Sequence, residues 1–181
     1  QGGATTGEVS LDHSWQRHED WSHLWRRGLV AKQISDSLVV QPSWCASPPE
    51  HKNVVTVVID PGMAFGTAEH PTTRGSLRLL EKAISPGESI MDIGCGSGIL
   101  TITAIKLGAS NVLSVDNDPY ALEATSANLF MNEIREKADV QLGEVSPAWL
   151  KDSSECEGII ANIQSDVLLA LMIGFRSAIR N

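Results

Sequence analysis

The chain has 181 residues, 42% of them hydrophobic, which suits one packed domain of ordinary size and excludes a chain disordered throughout. A net charge of -8 and a pI near 5.0, with no basic run, argue against a direct nucleic-acid binder. Cys45, Cys95 and Cys156 form no Cys-x-x-Cys pair, so neither a metal site nor a disulfide framework is indicated, and no apolar run approaches the roughly 18 residues of a membrane span.

Residues 1–8 are Gly/Thr-rich and read as a flexible lead-in without the layout of a secretory signal. A first residue of Gln rather than Met points to a chain processed or excerpted from something longer. Trp15, Trp21 and Trp25 read as anchors on a neighbouring surface, with Trp44 in the same packing. His13, His18 and His23 recur every five residues, share no helical face and read as solvated. The Val-rich segments Ser37–Gln41 and Val54–Asp60 predict strands joined by a Pro/Ser link from Pro42 to Glu50. Asp60-Pro61-Gly62 then opens a loop that ends where Thr72 or Thr73 can cap a helix through Leu80. That loop is either an ordinary connection or a lid or wall for whatever the next segment binds.

The next segment is Asp92-Ile93-Gly94-Cys95-Gly96-Ser97-Gly98, between the apolar Ser89-Ile90-Met91 and a helix over Ile99 to Leu107. A strand that breaks into alternating glycines and enters a helix brings bare backbone against a ligand. A dinucleotide fingerprint needs a third glycine where this chain has Ile99 or Thr101, depending on the starting glycine. The observed spacing instead resembles the first motif of class I methyltransferases, which bind S-adenosylmethionine (SAM). Asp92 can supply a carboxylate to offset the sulfonium charge. Asp116, at the end of Asn111–Val115 and 20 residues after Gly96, can accept both hydroxyls of a ribose, while Asp118 before Pro119 is the better helix cap.

Downstream, a helix from Pro119 to about Asn132 precedes a strand at Asp139–Leu142, a loop with Glu144 and Pro147, and a strand at Gly158–Ile163. A last helix, Asp166 to Ile179, carries Val167, Leu168, Leu171 and Phe175 as an apolar stripe. This alternation predicts a parallel sheet covered on both faces. The strand before Asn162 would lie beside the glycine strand, aiming an amide that can accept from an amine at the cofactor's reactive end.

The runs Asp60–Thr67, His70–Thr73, Asp92–Leu100, Val115–Pro119 and Ala161–Ile163, with Asp20-Trp21, Trp25 and Pro42-Ser43-Trp44, together resemble the PrmA family, methyltransferases of protein L-eleven (L11) of the large ribosomal subunit. The resemblance covers the chain from about Asp20 to its end. It implies an α/β, Rossmann-like class I methyltransferase fold, mostly parallel with helices on both faces and truncated before the last strands. Residues 1–50 would be a lead-in and linker, and 51–181 a C-terminally incomplete SAM-binding domain. It implies SAM contacts from Thr73, Gly94, Asp116 and Asn162, with Phe65, Gly66 and Thr67 walling the methyl donor; Asp92, Gly96 and Gly98 complete the turn, and Asn162 is the catalytic candidate.

The implied reaction is methylation of protein amines, lysine side chains and an N-terminal amine, in the cytoplasm or, for a plant or alga, the plastid stroma. Ala68 departs from the family where glycine is usual, and Gln164 where an apolar residue is usual. The family's N-terminal recruiting domain is absent from this sequence, and only four strands follow from Ser89, which would leave the strand before Asn162 at an open edge. Two alternatives stay open: a catalytically silent SAM-binding or interaction module, and a methyltransferase for another protein or nucleic-acid amine. Ile163-Gln164 after Asn162, in place of Pro-Pro-aromatic, disfavours glutamine and nucleic-acid amines.

Overall fold

A computed structural model describes residues 29–45, 54–60, 66–153 and 155–180. The expectations placed on Phe65, on Trp15, Trp21 and Trp25, and on His13, His18 and His23 fall outside the described residues.

Two sheets organise the described residues. The smaller runs β1 (Lys32–Gln33), β2 (Leu38–Gln41), β3 (Val55–Val58) in that order, with β1 antiparallel and β3 parallel to β2. The larger is wholly parallel, in the order β6 (Ala138–Leu142), β5 (Asn111–Asp116), β4 (Ser89–Ile93), β7 (Gly158–Ala161). Between strands run α1 (Pro71–Ala83), α2 (Ile99–Lys106), α3 (Pro119–Met131) and α4 (Pro147–Asp152), and α5 (Ser165–Ala178) follows β7.

Strand alternation sorts the core. Ile90 joins Leu77, Ile99, Ile102 and Leu129 on one face of the larger sheet, whereas Met91 and Ile93 join Leu150 and Leu171 on the other. Leu38, Val40, Val57 and Ile59 enter the first of these cores, so residues on both sides of position 50 pack together. Each fully buried leucine or isoleucine contributes roughly 1.5–3 kcal/mol by leaving water.

β7 lies beside the glycine strand and at the sheet's edge, as the sequence predicts; alongside it among the described residues runs a single parallel bridge from Cys156 to Ile179. Three local expectations are corrected. The loop with Pro147 contains a helix, because the Ser146 hydroxyl accepts from Trp149 N at 3.1 Å and Pro147 supplies a preset first helical residue. Helix α1 is capped by His70, not by a threonine: Pro71 starts the helix one turn position early, and His70 Nδ1 accepts from Thr72 N at 3.2 Å. In α5 the buried stripe is Leu171, Gly174 and Ala178, with Phe175 half-buried, while Val167 is 43% exposed and faces a cleft instead. Asp118 caps α3 as expected, accepting from Tyr120 N at 2.9 Å ahead of Pro119. No helix among the described residues is long and apolar enough to cross a membrane.

Candidate functional site

A cleft of about 410 Å³ opens at the carboxyl ends of β4, β5 and β7, where ligands of parallel sheets sit. Gly66, Thr73, Gly94, Gly96, Asp116 and Asn162 line it, so six of the residues singled out from sequence meet there. A neighbouring hollow of about 200 Å³ shares Gly94, Asp116, Asn117, Ile163 and Val167 with it and extends to Glu144, Val145 and Leu171.

The glycine turn is shaped by its contacts. Gly94 has φ +73°, and a Cβ there would collide with the Ile163 side chain. Gly98 has φ +78°, and its Cβ would meet Thr125 of α3 at 2.9 Å. Gly98 therefore sets how closely the turn packs on α3 and does not line the cleft.

Asp116 closes the turn from β5. Its Oδ2 accepts from Gly96 N at 2.9 Å and its Oδ1 from Asp118 N at 3.0 Å. A carboxylate oxygen has two lone-pair directions, so each retains capacity for a hydroxyl donor in the cleft. Opposite, Asn162 follows the end of β7, and its Nδ2 donates to Thr73 Oγ1 at 3.3 Å. Thr73 is buried in the first turn of α1, which holds the amide nitrogen toward the wall and leaves Oδ1 as an acceptor.

Asp92 lies behind the cleft. It is fully buried on the α2 side of β4, where Thr101 Oγ1 donates to Oδ2 at 2.7 Å and also contacts Ser114 Oγ at 2.7 Å. Its Oδ1 has no partner among the described residues. Burial pushes this carboxyl up to about 6, against the pull of the Thr101 bonds and with a smaller push from the Asp116 charge. Burial, then the nearby Asp92 charge, also drives the Cys95 thiol up to about 12, so Cys95 lines the cleft as a neutral, unreactive group.

Thr67 lines a separate small hollow with Val40 and Ile59, while the next residue, Ala68, is buried with φ +61°, a conformation in which a glycine would be unstrained. Sequence reasoning passed over Asn117, Ile163 and Val145 as site residues. The signal for Asn117 was available, since it directly follows the last residue of a parallel strand. Ile163 and Val145 carry no polar mark, and only the fold brings them to the cleft.

A family model described as ribosomal protein L11 methyltransferase (PrmA) matches residues 3–180. A ribosomal protein L11 methyltransferase from a Synechococcus species is 39% identical over 167 residues, covering 92% of this chain and 56% of that protein. One from Brevibacillus brevis is 34% identical over 167 residues, covering 92% of this chain and 52% of that protein. The chain thus spans about half the length of these curated relatives. A crystal structure of ribosomal protein L11 methylase from Lactobacillus delbrueckii subsp. bulgaricus matches with a TM-score of 0.72 at 33% identity, over 83% of this chain and 75% of that one.

Proposed function

The chain belongs to the PrmA family of ribosomal protein L11 methyltransferases, and we propose from its cleft that it binds SAM and directs methyl transfer to amines of L11. The observation that carries this reading is the Asn162 amide, held by buried Thr73 with its oxygen left to accept. The residues present suit SAM: bare backbone at Gly94, a carboxylate on Asp116 for ribose hydroxyls, and an apolar hollow between Ile163 and Val145 for a flat base. Asp92 supports the turn from behind and adds negative charge beneath it.

When bound, SAM supplies an electrophilic methyl group on its sulfonium. The protein's own work is alignment and exclusion of water, and it needs no covalent nucleophile. A lysine amine, with an ordinary pKa near ~10.4, has to lose its proton before it attacks. Asn162 Oδ1 accepts one amine hydrogen and so turns the lone pair into the cleft, while Gly66 and Thr73 form the wall across from the glycine turn. In this reading residues 51–181, packed with β1 and β2, make up the SAM-binding domain. Partnership with L11 puts the protein in the cytoplasm, or in the plastid stroma of a plant or alga.

Calorimetry with SAM tests the cofactor. Labelled SAM and isolated ribosomal proteins, incubated with this chain and with a form extended to the length of its relatives, test the transfer. Label on L11 supports the proposal; SAM binding without label on any protein from either form would favour a silent binding module.

A further inference from the structure

The cleft has two walls, and among the described residues neither hydrogen-bonded strands nor a shared element joins them. On one side stands the glycine turn after β4, and on the other Gly66 and Thr73. The link is made by two buried polar side chains that do not line the cleft. Ser97 Oγ donates to Gly66 O at 2.5 Å. Asn128, on α3, donates from Nδ2 to Ser97 O at 2.8 Å and accepts at Oδ1 from Asp60 N at 3.1 Å. Both residues are 1% exposed. Gly66 has φ +112°, and a Cβ there would lie 2.7 Å from Ser97 Oγ, so the wall is drawn down onto the turn as closely as backbone allows.

We infer that Ser97 and Asn128 are positioning residues that couple the two walls, so that a nucleoside sulfonium seated on the glycine turn also orders the wall at Gly66. The inference rests on the SAM reading of the cleft but asks more of it. A buried amide whose acceptor and donor are both committed tolerates one geometry, and Asn128 commits them to the carbonyl of Ser97 and to the N–H of Asp60, two residues beyond β3. Anything that fixes the carbonyl of Ser97 therefore fixes Asn128, and through it Asp60 N. The coupling carrier is thus a short chain of hydrogen bonds that runs from Gly66 in one wall to Ser97 in the glycine turn and is held from behind by Asn128. Thr125, one turn before Asn128, donates to Gly96 O at 2.9 Å and holds α3 in register with the turn, so α3 serves as the rigid beam of the link.

Amide hydrogen exchange read by mass spectrometry tests this without reference to turnover. The full 181-residue chain, Ser97→Ala and Asn128→Leu are compared with and without SAM, following peptides over residues 66–77 and 92–101. In the parent, SAM is expected to slow exchange in both peptides. In both variants protection of 92–101 is expected to persist while protection of 66–77 falls by about fivefold, the scale of one lost hydrogen bond. Ser97→Ala deletes one oxygen and keeps the experiment decisive if Asn128→Leu does not fold. Equal SAM-induced protection of 66–77 in the parent and Ser97→Ala overturns the coupling and leaves the SAM reading intact. A parent that binds no SAM by calorimetry overturns both.

Discussion

Replacing Asp92 by Asn tests the price of a buried charge beneath the glycine turn. The carboxyl is inaccessible to water, Thr101 satisfies one oxygen, and the other has no partner among the described residues. Burial holds its proton up to a pH of about 6, whereas the unfolded chain releases it near the ordinary value of 3.8. The native state therefore binds the extra proton between these values. Stability from this group is fully present below the unfolded pKa and is lost as pH rises through about 6. At about 1.4 kcal/mol for each tenfold change in acidity, the loss is on the order of 3 kcal/mol. Asn has the same shape and no charge at any pH, so Asp92→Asn escapes it. The unmatched amide hydrogens of the variant lower its stability equally at every pH and leave the slope unchanged.

Urea denaturation of both proteins between about pH 4 and pH 8 measures the difference, with the carboxylates that do not interact with Asp92 cancelling between them. The variant is expected to gain on the parent by about 2.5 kcal/mol across that range, with most of the change between pH 4 and pH 7. A difference that stays flat within about 1 kcal/mol would refute the reasoning, because a charge that costs nothing to form is not buried.

Asp116→Ala removes the acceptor for Gly96 N and for the ribose hydroxyls, so SAM affinity by calorimetry is expected to fall about 10- to 100-fold. Unchanged affinity would end the ribose assignment. Asn162→Ala is expected to lower methyl transfer by about 100-fold or more while SAM affinity moves by less than about threefold, and Thr73→Val is expected to follow in the same direction by about tenfold. A matched fall in affinity and rate for Asn162→Ala would make it a cofactor ligand only. Gly94→Ala is expected to cost about 1–2 kcal/mol from its positive φ alone, plus the clash with Ile163. Combined with Ile163→Ala, the total cost by thermal denaturation should fall short of the sum of the single costs, and strict additivity would rule out the contact.

Much of the site was legible because its signals are local. Glycines at 94, 96 and 98, an acid ending the next strand and an Asn after β7 can be placed from strand ends alone. What stayed hidden depends on tertiary packing. Thr125, Asn128 and Asn132 fall on one face of α3 and at its C-terminus, and polar residues at that spacing read as a solvated face. They are buried because the turn and β3 present backbone groups to them. Helix α4 escaped for a different reason: six residues are too few to show a period, although Ser146-Pro147 already carried the starting signal. Thr73 has the residue type of a cap, but Pro71 takes the first helical position and leaves the cap to His70, so the Thr73 hydroxyl serves Asn162 instead.

Asn132 bears on solubility. It donates from Nδ2 to Val58 O at 2.6 Å and accepts at Oδ1 from Val58 N at 3.0 Å, while Asn128 accepts from Asp60 N. These are the backbone groups that β3, the outer strand of the small sheet, turns away from β2. Two side-chain amides therefore occupy the docking line that a strand from another molecule would use. An uncovered β3 would offer a short row of Val and Thr to a second chain, a common start for intermolecular β-aggregation. The helix that frames the cleft thus also keeps this edge from templating self-association.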